Sequence, residues 1–303
     1  MTQLTNGYIT LEDGVRVFYQ KLGSGPEALI ILNGFSLLDD FKYLQSGRTV
    51  IGLDLRHRGR SDFISDNSKL KRGIHQDVDD LESVRRHFAL DQISLLAHSY
   101  AGMIPILYAL KYPFHVSRIV QIGCIPPDHT KQYPAHLMNA DATLRDFFTQ
   151  IQELEKERSS MDPVAHCKKF WSFLRMIYVR DAANADKLRW ENCDLPTELN
   201  AMSYWIGHLF PSIQTVKLTK EDLASVEMPV LIVHGRHDRS APYGGARDWA
   251  LLLPNARLVT VKDAAHAPWI EASDVYGSVE IFLDGAWPET AEKVDSLDPI
   301  GEP

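Results

Sequence analysis

The sequence predicts an α/β fold: a mostly parallel central sheet flanked by helices and interrupted by a helical insertion. Three observations carry that reading. Short, continuous apolar runs recur at Ala28–Leu32, Thr49–Leu53, Ile93–Ala97 and Val230–Val233, and Val116–Gly123 is strand-like, the length of strands buried on both faces. Segments of helical spacing separate many of them, as in βαβ units with right-handed crossovers. The alternation then stops between residues 128 and 222, where only helical periodicity is found, before it resumes.

Bulk properties narrow the field. The chain has 303 residues, 45% of them hydrophobic and 24% charged, which is ample for a packed core and unlike a disordered chain. Its net charge of −8 argues against nucleic acid or a membrane surface as partner, since both reward basic faces. A small-molecule or short-peptide substrate is the expected partner, and composition does not specify an oligomeric state. Met1–Thr10 has no basic segment leading into an apolar run, and no apolar stretch approaches the ~20 residues of a membrane span. Cys124, Cys167 and Cys193 are odd in number and form no CxxC pair. The expectation is free thiols in a reducing compartment, and hence a soluble, cytoplasmic protein. There is no phosphate loop, metal-ligand spacing or basic–aromatic stripe, so no cofactor and no metal are expected.

Each element follows in order. Tyr8–Leu11 and Val15–Gln20 flank Asp13-Gly14, a pair suited to the positive-φ turn of a hairpin. Gly23-Ser24-Gly25-Pro26 breaks the chain before the Ala28–Leu32 strand, which ends at Asn33-Gly34; Thr49–Leu53 ends at Asp54. Gln76–Leu90 puts Val78, Leu81, Val84, Arg85 and Phe88 on one helical stripe. Ile93–Ala97 runs into His98-Ser99-Tyr100 and a helix stopped by Tyr112-Pro113. Pro126-Pro127 closes the first half. Ala142–Arg158 and Pro163–Arg180 have helical periodicity, with Asn200–Leu209 a third helix. Strand Val230–Val233, helix Tyr243–Leu252, strand Arg257–Val261 and helix Ser273–Leu283 complete the sheet. The expected organisation is a core domain of residues 1–127 and 223–287 with a helical lid of residues 128–222. The lid would lie over the carboxyl ends of the strands, where ligands bind in open α/β sheets. Residues 288–303 read as a loosely held acidic tail.

Three loops at strand ends carry chemistry. In Ala97-His98-Ser99-Tyr100-Ala101-Gly102 a serine sits on a sharp strand-to-helix turn, its hydroxyl beside the helix's free N–H groups. Such a turn needs small residues two places either side of the serine. The consensus G-x-S-x-G has glycines there; this chain has alanines. After the Val230–Val233 strand comes His234-Gly235-Arg236-His237-Asp238, whose carboxylate can orient and stabilise a histidine. After the last strand, Asp263-Ala264-Ala265-His266-Ala267 puts an imidazole in a small-residue loop. Asp128, after Val116–Gly123, is the alternative acid, but its local string fits the role less well. His98 reads as packing.

The order Ser…Asp…His, with the helical insertion between the first two, resembles the α/β-hydrolase family over nearly the whole chain. More narrowly, the chain is similar to its prolyl aminopeptidase-related branch. The grounds are Gly7-Tyr8-Ile9, the loop from Asp54 to Asp62 matching D-x-R-x-x-G-x-S at Asp54, Arg56, Gly59 and Ser61, and the Asp77–Glu82 helix. That loop is structural in the family. The resemblance implies a catalytic triad of Ser99, Asp238 and His266, with an oxyanion hole made by the backbone N–H groups of Phe35 and Tyr100. Asn33 and Gly34 support the loop, Asn33 standing where the family commonly has histidine and holding the loop through side-chain hydrogen bonds. The His-Gly-Gly-Pro-Gly and G-G-S-W-G forms of the iminopeptidases are absent.

The expected activity is hydrolysis of an ester or amide bond of a small molecule or short peptide, through an acyl-enzyme on Ser99. Prolyl-type aminopeptidase activity is the alternative, with Glu191, Asp194 or Glu198 of the lid available to a substrate amine, although a solvated face explains them as well. Perhydrolase or carbon–carbon bond hydrolase chemistry uses the same three groups. From another class, the chain could be a ligand-binding member of the fold that no longer turns over.

Overall fold

In the computed structural model, residues 4–131, 133, 141–190 and 192–296 are described. The apolar runs become strands: β1 (Thr5–Thr10), β2 (Arg16–Leu22), β3 (Glu27–Leu32), β4 (Arg48–Leu53), β5 (Ile93–His98), β6 (Val116–Ile122), β7 (Val230–Gly235) and β8 (Ala256–Val261). They form one sheet in the order β1-β2-β4-β3-β5-β6-β7-β8, in which β2 alone runs against the others. Every residue of β4, β5 and β7 is buried, because helices cover both faces. Alternate side chains serve separate cores: Ile30, Ile51, Leu95 and Ile232 on one side, Ile31, Val50, Leu96 and Leu231 on the other. In the β1–β2 hairpin, Gly14 takes φ 82° and Leu11 N–H closes on Val15 O.

Helices α1 (Gly34–Phe41), α2 (Ile74–His87) and α3 (Met103–Lys111) follow β3, β4 and β5. The sequence reading missed α1. It starts from Asn33 in the left-handed region without a side-chain cap, so it carries no N-terminal signature. The stripe of α2 buries Asp77 and Asp80 together with Val78, Leu81 and Val84. The cause is the 54–62 loop. Arg58 donates to both oxygens of Asp77 at 2.9 and 2.8 Å, Arg56 to both oxygens of Asp80 at 2.7 and 2.8 Å, and Arg60 to Asp54 at 2.8 Å. Bidentate geometry of this kind is what makes burial of both charges tolerable.

Between β6 and β7 the chain is helical, with α4 (Ala142–Glu157), α5 (Pro163–Tyr178) and α6 (Pro196–Leu199). The third expected helix spans more than Asn200–Leu209: an α-turn at Ala201–Tyr204 widens to a π-helix at Trp205–Leu209 and continues as α-helix to Gln214. Pro211 explains the widening, since it has no N–H to donate and its ring crowds the Gly207 carbonyl. Past β7 lie α7 (Tyr243–Leu252) and α8 (Asp274–Leu283).

Two expectations need correction. Cys167 and Cys193 are joined as a disulfide, with Cα atoms 5.8 Å apart, whereas Cys124 is buried and free. Spacing alone does not reveal that α5 and the segment before α6 run side by side. The premise of unpaired thiols, on which a reducing compartment was inferred, therefore fails for two of the three. Among the described residues no helix is long and apolar enough to cross a membrane. The segment after residue 288 is not loosely held as far as 292: Glu292 bridges Leu258 of β8, and Ala291 is buried. The open edge of β8 offers backbone partners to a chain with no apolar pattern of its own.

Removing one partner of the Arg58–Asp77 pair leaves a charge stranded in the core. Asp77→Ala is expected to lose about 3–5 kcal/mol of stability in denaturant unfolding. The double change to Arg58→Met with Asp77→Leu is expected to recover much of it.

Candidate active site

Ser99 follows β5 at φ 58°. A left-handed serine costs roughly 1–2 kcal/mol, and its surroundings enforce it. Ala97 and Ala101 are fully buried. A Cβ on Gly102 would lie 1.8 Å from Cys124 Sγ. The two alanines in place of the consensus glycines fit; Gly102 could not be replaced so easily. The turn leaves Ser99 partly exposed at the carboxyl end of the sheet.

His266 and Asp238 reach the same point from the ends of β8 and β7. His266 Nε2 is 2.9 Å from Ser99 Oγ, and its Nδ1 is 2.8 Å from Asp238 Oδ2. The structure thus brings the three residues into one hydrogen-bonded row. The imidazole is fully buried. Gly123, at φ 54°, lets the end of β6 pass beneath it, since a Cβ there would come within 2.7 Å of the His266 carbonyl oxygen. Asp238 Oδ1 accepts the N–H groups of Ser240 and Ala241 at 2.8 and 2.7 Å. Burial alone would push its pKa up, but the imidazoles of His266 and His234 override this and hold it well below the usual carboxylate range. Asp128, the alternative acid, is exposed and spends its Oδ1 on Thr130 N–H and Oγ1.

His98 is packing with one addition: its Nε2 lies 2.9 Å from the His266 carbonyl oxygen, and its low pKa, caused by burial and then by His266, keeps the ring neutral. Tyr178, at the end of α5, sets its ring edge-on to His266 with centroids 4.5 Å apart, and its carbonyl accepts Ala267 N–H at 3.0 Å. Among the helical-insertion aromatics only geometry distinguishes it. Nothing in its sequence neighbourhood marks it out.

The β3–α1 loop differs in detail from expectation. The Asn33 backbone carbonyl, not its side chain, closes the loop, accepting Ser36 N–H at 3.0 Å and Ser36 Oγ at 2.9 Å. Its side-chain Nδ2 donates to Tyr100 O–H at 3.1 Å, tying the loop to the serine turn. Asn33 sits at φ 58°, a conformation asparagine tolerates better than most residues. Gly34 presses on β4: a Cβ would be 2.6 Å from the Gly52 carbonyl carbon. Tyr100 N–H belongs to a first helical turn, where N–H groups have no intrahelical partner. Phe35 N–H, the second expected donor, lies near the buried Asp54 carboxylate and is among the groups that lower its pKa against the rise caused by burial.

A model of the alpha/beta hydrolase fold family matches residues 29–273. The chain belongs to the alpha/beta hydrolase family. The chain is 26% identical over 288 residues to the bifunctional esterase/perhydrolase DCH of Acinetobacter calcoaceticus, with 91% of this chain and 99% of that one covered. It is 25% identical over 280 residues to the proline iminopeptidase PfmaB of Pestalotiopsis fici, covering 87% and 94%. Its structure is similar to that of the esterase EaEST from Exiguobacterium antarcticum, with a TM-score of 0.70, 18% identity, and 93% and 100% of the two chains covered.

Of the three acidic residues considered for a substrate amine, Glu191 lies outside the described residues and Asp194 is exposed. Glu198 is buried. It accepts Gly59 N–H at 3.0 Å, and Thr197 Oγ1 donates to Gly59 O, so α6 grips both sides of that residue. Burial, with Asp54 nearby, pushes Glu198 up to about 7. A folded-state value above the unfolded one makes this a contribution present below about pH 4.5 and lost as pH rises through about 7. The melting temperature is therefore expected to fall between pH 5 and 8. In Glu198→Gln that slope should flatten, leaving the variant the more stable of the two at pH 8 by thermal scan.

Proposed function

We propose that this protein is a serine hydrolase that cleaves an ester bond of a small molecule through an acyl-enzyme on Ser99. The observation that carries the reading is the continuous row Ser99 Oγ, His266 Nε2, His266 Nδ1, Asp238 Oδ2, with links of 2.9 and 2.8 Å. His266 takes the Ser99 proton as Oγ attacks the carbonyl carbon. Asp238 fixes the imidazole tautomer and stabilises its cation. The N–H groups of Tyr100 and Phe35 receive the tetrahedral oxyanion. Each donor is worth roughly 3–4 kcal/mol in comparable sites. His266 then protonates the departing alkoxide, activates water, and the ester acyl group leaves as its acid. In this reading the helices between β6 and β7 are the lid, with Tyr178 against the imidazole.

The ester reading is put ahead of the aminoacyl alternative because the His-Gly-Gly-Pro-Gly and G-G-S-W-G forms of the iminopeptidases are absent and Asp194 is exposed. Glu198, with Oε1 on Gly59 N–H, leaves that alternative open to test. The ester relative supports the reading; the iminopeptidase relative keeps the alternative in the test. A fluorophosphonate probe is expected to label Ser99. Ser99→Ala should fold, lose the label and lose at least about 10⁴-fold in kcat. Folded protein that takes no label would point instead to a ligand-binding member of the fold. In a side-by-side assay, turnover of a short-chain aryl ester is expected, and turnover of a proline arylamide alone would establish the aminopeptidase instead.

A further inference from the structure

Asp238 carries more hydrogen bonds than the reaction requires. Beyond His266 and the two backbone N–H groups, a second imidazole reaches it: His234 Nε2 lies 3.1 Å from Asp238 Oδ2 and 2.9 Å from the Ala241 carbonyl oxygen. Both neighbours are acceptors, so Nε2 carries the hydrogen. The opposite nitrogen, Nδ1, is buried without a partner, which is tolerable for a bare ring nitrogen and costly for an N–H. The tautomer follows from the geometry. His234 is fully buried at the end of β7, and the next residue, Gly235, presses against the His266 loop: a Cβ there would fall 2.0 Å from Ala265 O. The ring is thus held by the same contacts that place His266.

We propose that His234 is a positioning residue for Asp238: its Nε2–H shares the carboxylate oxygen with His266 Nδ1, fixing where that oxygen points and limiting the negative charge it offers the imidazole. This rests on the roles given above to Ser99, His266 and Asp238. Three donors bond the two oxygens, and the His234 Nε2–H, bonded to Ala241 O, stands 3.1 Å from Oδ2, so the carboxylate cannot rotate away without breaking these contacts. Every hydrogen bond a carboxylate accepts also makes it a weaker acceptor for the next. The other titratable side chains facing this group are His98 from the end of β5, Tyr178 from α5, Cys124 after β6, and Tyr243 of α7, whose ring is 6.1 Å from that of His234. The variants below leave all four in place.

The test compares kcat/KM against pH for an aryl ester in the unaltered enzyme, His234→Phe and His234→Gln. Phenylalanine keeps a ring and removes the N–H; glutamine returns an N–H at similar reach. Loss of the N–H leaves Asp238 a stronger base toward His266, so the acid limb in the Phe variant is expected to move up by about half a pH unit, with kcat down about tenfold. The Gln variant should restore the limb. An unmoved limb in the Phe variant, or equal shifts in both, overturns the proposal. Should the Phe variant not fold, ¹⁵N-histidine NMR of the unaltered protein decides the matter. The resonances absent from His234→Gln must report a protonated Nε2, and a protonated Nδ1 overturns the proposal. Fluorophosphonate labelling of the unaltered enzyme keeps the two readings apart: a labelled Ser99 with an unmoved limb sinks only the role of His234.

Discussion

The left-handed backbone at Ser99 is an unfavourable conformation that the sheet holds in place, and the site's geometry descends from it. β5 lies between β3 and β6 with all its residues buried, and the chain leaving it has Cys124 against Gly102, so the turn has no room to relax. The same device recurs at neighbouring strand ends. Asn33 after β3, at φ 58°, and Gly123 after β6, at φ 54°, also release the chain abruptly at the carboxyl edge. Three parallel strands side by side thus each end in a positive-φ residue. The result is a step in the edge, with the serine turn in the middle and room for the His266 loop on the β6 side.

Carboxylates near this edge are treated in two ways. Asp238 has its burial offset by imidazole and backbone donors and stays ionised, as the role proposed for it beside His266 requires. Asp54 and Glu198 are buried with less compensation, and burial raises both. They are neighbours around Gly59: Asp54 accepts Arg60 N–H, and Glu198 of the helical insertion accepts Gly59 N–H. The charge that matters for chemistry is thus kept on one side of the serine turn, and the charge the fold tolerates poorly is on the other.

Much of this was legible in the sequence, and the reasons are specific. The strands announce themselves because burial on two faces leaves continuous apolar runs at Val50–Leu53 of β4 and Val230–Val233 of β7. Ser99, Asp238 and His266 are legible because each follows a strand, so topology brings them to one edge whatever the helices between them do. What was hidden depends on pairs distant in sequence. Asp77 and Asp80 look like the solvent face of α2 until Arg58 and Arg56 arrive from a loop some twenty residues earlier. The Cys167–Cys193 bridge needs α5 to lie beside the segment before α6. His234 was in full view four residues before Asp238, but an apolar strand ending in histidine does not say that the ring turns back toward the carboxylate.

The attachment of the helical insertion follows the same division. On the side of His266 and Asp238 its contacts include backbone carbonyls: Tyr178 O accepts Ala267 N–H, and Val179 O accepts the Arg239 guanidinium at 2.7 Å. Each recipient is the immediate chain neighbour of a residue in the hydrogen-bonded row. On the side of the β3–α1 loop it is joined through Thr197 and Glu198 to Gly59, beside whose Cα the Phe35 ring lies. The first attachment also includes the Arg239–Asp141 and Arg180–Asp263 ion pairs and the Glu271 carboxylate accepting Arg180 and Asp181 N–H, whereas the second includes a carboxyl pushed up to about 7. Ionisation near neutrality therefore weakens the insertion's hold beside the candidate oxyanion loop and leaves its hold beside the imidazole unchanged. A displacement that begins at Gly59 disturbs the Phe35 side first, while the serine, histidine and aspartate remain tied in their row.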